Sequence, residues 1–367
     1  MANNSTVELL KEEKLTEETE KKKVSASLFA KRWRKFKSLK RGYYSFIAIT
    51  ICYILSFIIT VFVGRDALIV KYNGNYSFPI FKFYLAKDLG QDLQGEANYR
   101  MLNAQYKQEN KGNWALLPLY PFGPNENLLD EMAGNPPHKP SVQHFFGTDN
   151  RGRDVFVRII YGFKIGLSFS LVVTLFSFLI GIWLGAISGF YGGKIDIVLQ
   201  RLIEIWTTLP FLYVIIIISS IIQPSFTLLI IILTLFSWVA MTYYIRGEFF
   251  REKARDYVSA AVSMGAKNST IIFKHILPNS LTPVISYAPF IIVGNIFALV
   301  SLDFLGFGLP PPTPSWGELM GQGLENLDHW WLIITPLLVM FITLLAITFI
   351  GEALREAFDP KVYSRLK

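Results

Sequence analysis

The sequence predicts an all-α polytopic membrane protein with six transmembrane helices. Of 367 residues, 51% are hydrophobic and only 17% charged, against about 25% charged in soluble domains. The apolar residues also fall into long blocks rather than amphipathic patterns. Crossing a hydrocarbon core about 30 Å thick takes about 20 apolar residues in a helix. Segments 44–63, 165–189, 203–222, 226–245, 284–302 and 332–350 meet that requirement, and none holds a Lys, Arg, Asp or Glu in its middle. With 15% aromatics and Cys52 as the single cysteine, disorder and a disulfide scaffold are both excluded.

The elements follow in order. A tail, 1–43, opens with 23 acidic and Lys-rich residues that read as solvated. The first span lacks a small-x-small cleavage pattern after it and is expected to be a retained anchor. Before it stand Lys31, Arg32, Arg34, Lys35, Lys37, Lys40 and Arg41 with no acidic residue between 24 and 42. Positive charge close to a span stays cytoplasmic, so both termini are expected in the cytoplasm. Membrane lipid is thus one partner.

Residues 65–146 carry eight basic and eight acidic side chains, and Pro118, Pro121, Pro124, Pro136, Pro137 and Pro140 punctuate them. This stretch reads as a periplasmic insert of mixed, irregular structure. In the second span Gly181, Gly185 and Gly189 share one helical face, which suits close helix packing. Pro210, Pro289 and Pro336 are candidate flexing points. The cytoplasmic stretch 246–278 holds Arg246, Arg251, Lys253, Arg255, Lys267 and Lys274; it reads as helices over 249–264 and 269–276 separated by Gly265. The outer loop 303–331 has no Lys or Arg, and Pro310, Pro311, Pro312 and Pro314 are expected to hold it extended. Tyr43, Tyr44, Trp330 and Trp331 read as interfacial anchors. A cytoplasmic tail, 355–367, ends the chain.

Catalytic patterns are missing from the sequence. His138, His144, His275 and His329 have no second His or Cys at metal-ligand spacing. Gly192-Gly193-Lys194-Ile195 departs from a phosphate loop, because Ser188 replaces the leading Gly and Ile195 the Ser or Thr. The chain is therefore read as no enzyme, with no cofactor of its own. The basic residues hug span ends, which fits topology better than nucleic acid. Ion coupling normally needs ionisable groups at membrane depth; Asn295 and unwound backbone keep an ion-coupled carrier as an alternative. A second alternative is a membrane-anchored scaffold or receptor whose insert binds a partner without transport.

A polytopic chain without an energy-coupling group suggests a pathway powered by a partner. The candidate contact is Asp256, Tyr257, Ser259, Ala260, Ala261, Met264 and Gly265. Small residues leave a shallow surface, Tyr257 and Met264 add apolar contacts, and Gly265 permits a turn. This stretch resembles the coupling motif of ATP-binding cassette importer permeases, in which Glu-Ala-Ala, three residues, Gly and a later Leu-Pro recur. Ala260, Ala261, Gly265, Leu277 and Pro278 match that spacing, and Ser259 replaces the Glu.

Three further strings carry the resemblance to the C-type permeases of oligopeptide and dipeptide importers. They are FGTDNRGRD from Phe146, SLDFLGFGLPPPTPSWGEL from Ser301 and GEALREAFDP from Gly351. Asp303-Phe304-Leu305-Gly306 and the insert's Lys111-Gly112-Asn113-Trp114 look closest to the sub-branch of microcin C and peptide uptake permeases of Gram-negative bacteria. The resemblance implies a type I importer fold over 163–354 in the inner membrane. It also implies a second permease subunit, two ATPase subunits that bind ATP, and a periplasmic peptide-binding protein. Alternating access would follow from partners that prefer one state over the other.

Overall fold

The computed structural model describes residues 28–132 and 134–359. The solvated part of the expected N-terminal tail and the end of the C-terminal tail, from Pro360, lie outside the described residues. Helix α1 (Leu28–Ser38) is joined at Leu39 to α2 (Lys40–Phe57). After the insert come α4 (Val155–Tyr191), α5 (Gly193–Thr207), α6 (Phe211–Ile221), α7 (Phe226–Lys253), α8 (Asp256–Ser263), α9 (Leu277–Phe304), α10 (Trp316–Glu325) and α11 (Trp331–Phe358). The insert contains β1 (Ile69–Tyr72), β2 (Asn75–Ser77), α3 (Tyr99–Glu109) and β3 (Trp114–Leu116).

Among the described residues four helices are long and apolar enough to cross a membrane, namely α4, α7, the Val284–Phe304 part of α9, and α11. Helices α5 and α6 pass together as a fifth, bent by 66° at their junction. Two of the six expected segments are not single α-helices over their whole length. At the third, Pro210 lacks a backbone N–H and drives the preceding residue away from helical geometry, so the segment breaks between Thr207 and Phe211. At the first, α2 has 18 helical residues beginning with Lys40 and Arg41, and it leaves helical geometry before the expected end at residue 63. Beyond α2 and the turn Ile59–Val61 the chain joins the insert: Tyr120 N donates to Phe62 O at 3.0 Å and Gly64 N donates to Tyr120 O at 3.2 Å.

The insert is more regular than its proline content suggests. β1 pairs antiparallel with both neighbours in the order β2-β1-β3, Lys71 facing Tyr76 and Trp114. Helix α3 closes a small core around Val70, Leu89, Leu102 and Tyr106. Asn98 caps α3 by accepting from Arg100 N and Met101 N, and Arg100 clamps the proline segment through Glu126 and Glu131, each at 2.7 Å. A small sheet therefore qualifies the all-α assignment.

In the bundle α4 lies against α7 along the glycine face. A Cβ on Gly181 would sit 2.8 Å from Trp238 O, on Gly185 2.6 Å from Thr242 O, and on Gly189 2.8 Å from Arg246 O. Asn295 of α9 ties three helices, donating to Thr174 Oγ1 at 3.0 Å and accepting from Ser237 Oγ at 3.4 Å. Its amide is thereby engaged in packing. Trp331 is fully buried, its Nε1 donating to Thr148 O at 3.1 Å, which corrects its reading as an interfacial anchor; Trp330 is exposed.

Gly185→Leu should lower the thermal midpoint of the purified chain, since overpacking at backbone contact costs about 1–3 kcal/mol. Gly247→Ala, where a Cβ meets nothing within 4 Å, should leave it unchanged or raised. Equal midpoints for the two variants would contradict this packing.

Candidate functional site at the two ends of the bundle

At one end, a tight loop precedes the long helix α4. Asp149 Oδ1 accepts from Arg151 N at 3.0 Å and from Arg153 N at 2.9 Å, and Gly152 supplies the positive φ of 73° that closes the turn. Asp154 then caps α4 by accepting from Val157 N at 3.0 Å. Its other oxygen accepts from Tyr120 Oη at 2.6 Å and lies 2.7 Å from His144 Nδ1. Burial and the Asp154 carboxylate push the Tyr120 hydroxyl well above its ordinary range.

Across from this loop, Ser315 caps α10 and presents Glu318 on its first turn. Glu318 lies 3.0 Å from Arg153 and 2.5 Å from Arg158, and Asp149 lies 2.6 Å from Arg153 and 3.5 Å from Arg158. Three of these side chains are 0–2% exposed and Glu318 16%. Burial disfavours the Arg153 charge, but the hydrogen bonds it donates to Asp149 and Glu318, with their negative charge, hold its guanidinium above the ordinary range. Two cations and two anions cancel. The remaining donors of Arg158 reach Pro124 O, Pro312 O and Thr313 O, so the quartet also grips the insert and the proline run. That run turns, with Thr313 N donating to Pro310 O at 3.2 Å. It is not the extended rim expected, because carbonyls 312 and 313 are drawn to Arg158.

Asp303 completes this end. It accepts from Leu309 N at 2.7 Å and Ser315 Oγ at 2.5 Å, while Trp316 Nε1 donates to Ile159 O at 3.0 Å. Residues Asp149, Arg153, Arg158 and Glu318 were not among the sequence candidates. One signal was present: loop 303–331 holds Asp303, Glu318, Glu325 and Asp328 without a Lys or Arg, while Arg153 and Arg158 stand just before an apolar block.

At the opposite end the candidate contact splits into two faces. Ala261 is 2% exposed and Val258 3%; both pack with Phe249, Ile271 and Ile276. Ala261 thus belongs to the interior, which corrects its reading as part of the bare contact. In a helix eight residues long, positions 258 and 261 share the inner face. Asp256, Tyr257, Ser259, Ala260, Val262, Met264 and Gly265 are exposed, with Met264 81% exposed. Tyr257 acts as a tether: its hydroxyl donates to Glu252 at 2.9 Å and accepts from Asn279 Nδ2 at 3.2 Å.

The expected helix 249–264 is interrupted between Lys253 and Asp256, where Arg255 adopts extended geometry. Gly265 has φ +77°, so the chain reverses there. After it, Asn268–Thr270 leads into a π-helical turn, Ile271–Ile276, that runs straight into α9. The π-helical turn is therefore continuous with a spanning helix, and the turn at Gly265 joins α8 to it. Nearby, Asp196 of α5 accepts from Arg246 at 2.5 and 2.6 Å and from Ser188 Oγ, fixing the Gly192-Gly193 turn. Among the described residues no group of three or more His, Cys, Asp or Glu side chains could hold a metal ion.

A family model described as binding-protein-dependent transport system inner membrane component matches residues 181–364. The chain is similar to the inner membrane ABC transporter permease protein YejE of Escherichia coli (strain K12), 41% identical over 330 residues that span 90% of this chain and 96% of that one. It is also similar to the peptidoglycan transport system permease protein YejE of Agrobacterium fabrum, 37% identical over 90% of this chain and 92% of that one. The dipeptide transport system permease protein DppC of Bacillus subtilis is 38% identical over 61% of this chain and 70% of its own length.

Because Ala261 is interior and Met264 is not, Ala261→Trp should destabilise the isolated chain by about 1–3 kcal/mol, whereas Met264→Asp should leave its thermal midpoint within error. Differential scanning fluorimetry in detergent separates the two; a stable Ala261→Trp variant would contradict the burial.

Proposed function

The chain belongs to the family of binding-protein-dependent transport system inner membrane components, and from that premise we propose that energy enters through the bare face of α8. It is a multi-pass inner-membrane permease of a peptide ABC importer. Family membership implies ATPase and binding-protein partners. In the proposed assembly the transport core, 163–354, pairs with a second, related permease, and two ATPase subunits sit beneath the cytoplasmic stretch. The insert faces the binding protein and both termini face the ATPases. Helix α2, about 27 Å long at 1.5 Å per residue, crosses the membrane with the help of the turn Ile59–Val61. The cargo is peptide, and modified peptides such as microcin C are a proposed extension of it.

The observation that carries the mechanism is the two-faced α8. Its inner face, Val258 and Ala261, is locked to α7 and the π-helical turn, while Ala260, Val262 and Met264 stand bare. A push on the bare face is delivered to α9 as a rigid displacement. Closure of the ATPases on ATP would favour one arrangement of the bundle, and hydrolysis would release it, a population shift driven by differential affinity.

Proteoliposomes containing the chain, its partner permease, the ATPases and the binding protein test this. Peptide uptake should require all of them and ATP. Met264→Asp should reduce uptake roughly thirtyfold, the effect of losing an interface anchor of about 2 kcal/mol. Normal uptake by Met264→Asp with ATPases bound would overturn the coupling assignment, and uptake without ATPases would indicate a carrier. In a Cys52→Ser background, Asn73→Cys and Asn326→Cys should label from the periplasm and Lys267→Cys should not; the reverse pattern would invert the orientation.

A further inference from the structure

We infer that the insert has an apolar foot, formed by Phe81, Phe83 and Leu119 beside Val61 and Phe62, that lies in the headgroup layer of the leaflet next to it. The insert would then rest on the membrane instead of standing clear of it. All five side chains are exposed, Phe81 and Leu119 each to 87%. That is far more bare apolar surface than scattered single residues would give.

The depth of this foot can be read from α4. Lys164 Nζ stands 4.7 Å over the Phe57 ring at the end of α2, and lysines near span ends reach for the water boundary. Tyr161, one turn farther out on α4, donates to Val63 O at 3.2 Å. Phe62 and Val63 therefore lie about one helical turn, roughly 5 Å, outside the hydrocarbon edge. Headgroups occupy that layer, since the whole bilayer exceeds its hydrocarbon core by about 10–15 Å.

The insert reaches the same level. Tyr120 pairs with Phe62 and Gly64 through its backbone, and its side chain packs inward against Val63 and Val157. Leu119, at the bend next to Tyr120, is exposed instead and belongs to the bare surface. Ile80 lines one cavity of about 380 Å³ with Thr60, Gly64 and Tyr161, and Pro79 is buried. A turn closed by Phe81 N donating to Phe78 O at 3.1 Å then turns Phe81 outward.

Two features select lipid as the occupant. The foot continues the apolar surface of α2, where Ile51, Ile54 and Ile58 are exposed along the helix. Lys82 stands between Phe81 and Phe83, its Nζ 5.6 Å from the Tyr84 ring. Aromatic rings with a lysine among them are the composition of a membrane interface, and the ammonium can meet lipid phosphate. The inference rests on the membrane placement of α2 and α4, not on which side the insert faces or what is transported.

The test uses the complete transporter in lipid nanodiscs, in a Cys52→Ser background. Phe81→Cys and Leu119→Cys carry an environment-sensitive fluorophore; Lys107→Cys on exposed α3 is the reference. At 81 and 119 the emission should be blue-shifted and should lose roughly half or more of its intensity with shallow spin-labelled lipid, as for groups in the interfacial layer, while 107 stays accessible to iodide. Iodide access and water-like emission at all three sites would overturn the foot. Protection at 81 and 119 that appears only when the binding protein is added would overturn it too, assigning the surface to protein docking. Neither result would touch the importer reading, because peptide uptake is measured separately on the same samples.

Discussion

Four charges buried at one end of the bundle set the frame for the rest. Asp149, Arg153, Arg158 and Glu318 sum to zero, and each arginine lies within 3.5 Å of both carboxylates. An uncompensated charge in such a place costs several kcal/mol. The quartet therefore acts as a lock: moving α10 away from α4 would strip counter-charges from both arginines at once. The carbonyls of Pro124, Pro312 and Thr313 on Arg158 extend the lock to the insert and the outer loop. That physical requirement accounts for the residue types in two strings far apart in sequence, the TDNRGRD segment and the SWGEL segment.

The opposite end is built on other terms. There the tethers are few and mostly hydrogen bonds at the surface, such as Tyr257 to Glu252 and Asn279, and the apolar contacts of α8 are two small side chains. A reversal at Gly265 leads from α8 to a π-helical turn that continues into α9. One end is fixed by neutralised charge, and the other is a short lever joined to a spanning helix. Between them the glycine face of α4 brings α7 to backbone contact, and Asn295 pins α9 to both.

How much of this was legible follows from where the information lies. The apolar blocks gave the spanning helices α4, α7, α9 and α11 because burial in lipid is a one-dimensional property of a segment. Their ends were less legible, since the chain beyond them depends on partners: α2 ends at Phe57, and the residues after it pair, through Phe62 and Gly64, with Tyr120 about sixty residues away. Trp331 and Ala261 were misplaced for the same reason. A tryptophan at a span end fits an interface equally well by composition, and only the carbonyl of Thr148 draws it inside. The small-residue pattern at 259–261 was visible, but which small residue faces inward depends on the angle at which α8 meets the π-helical turn. The quartet left a trace in an acidic loop without counter-ions.

The claim that neutralised charge holds the outer end together is tested most directly by a double-mutant cycle on Arg158 and Glu318, read as unfolding free energy of the purified chain. Arg158→Leu or Glu318→Leu alone leaves an odd charge among buried groups and should cost about 3–5 kcal/mol. The double variant leaves the neutral pair of Asp149 and Arg153 and should be more stable than either single variant. Costs that simply add, within about 0.5 kcal/mol, would contradict the account.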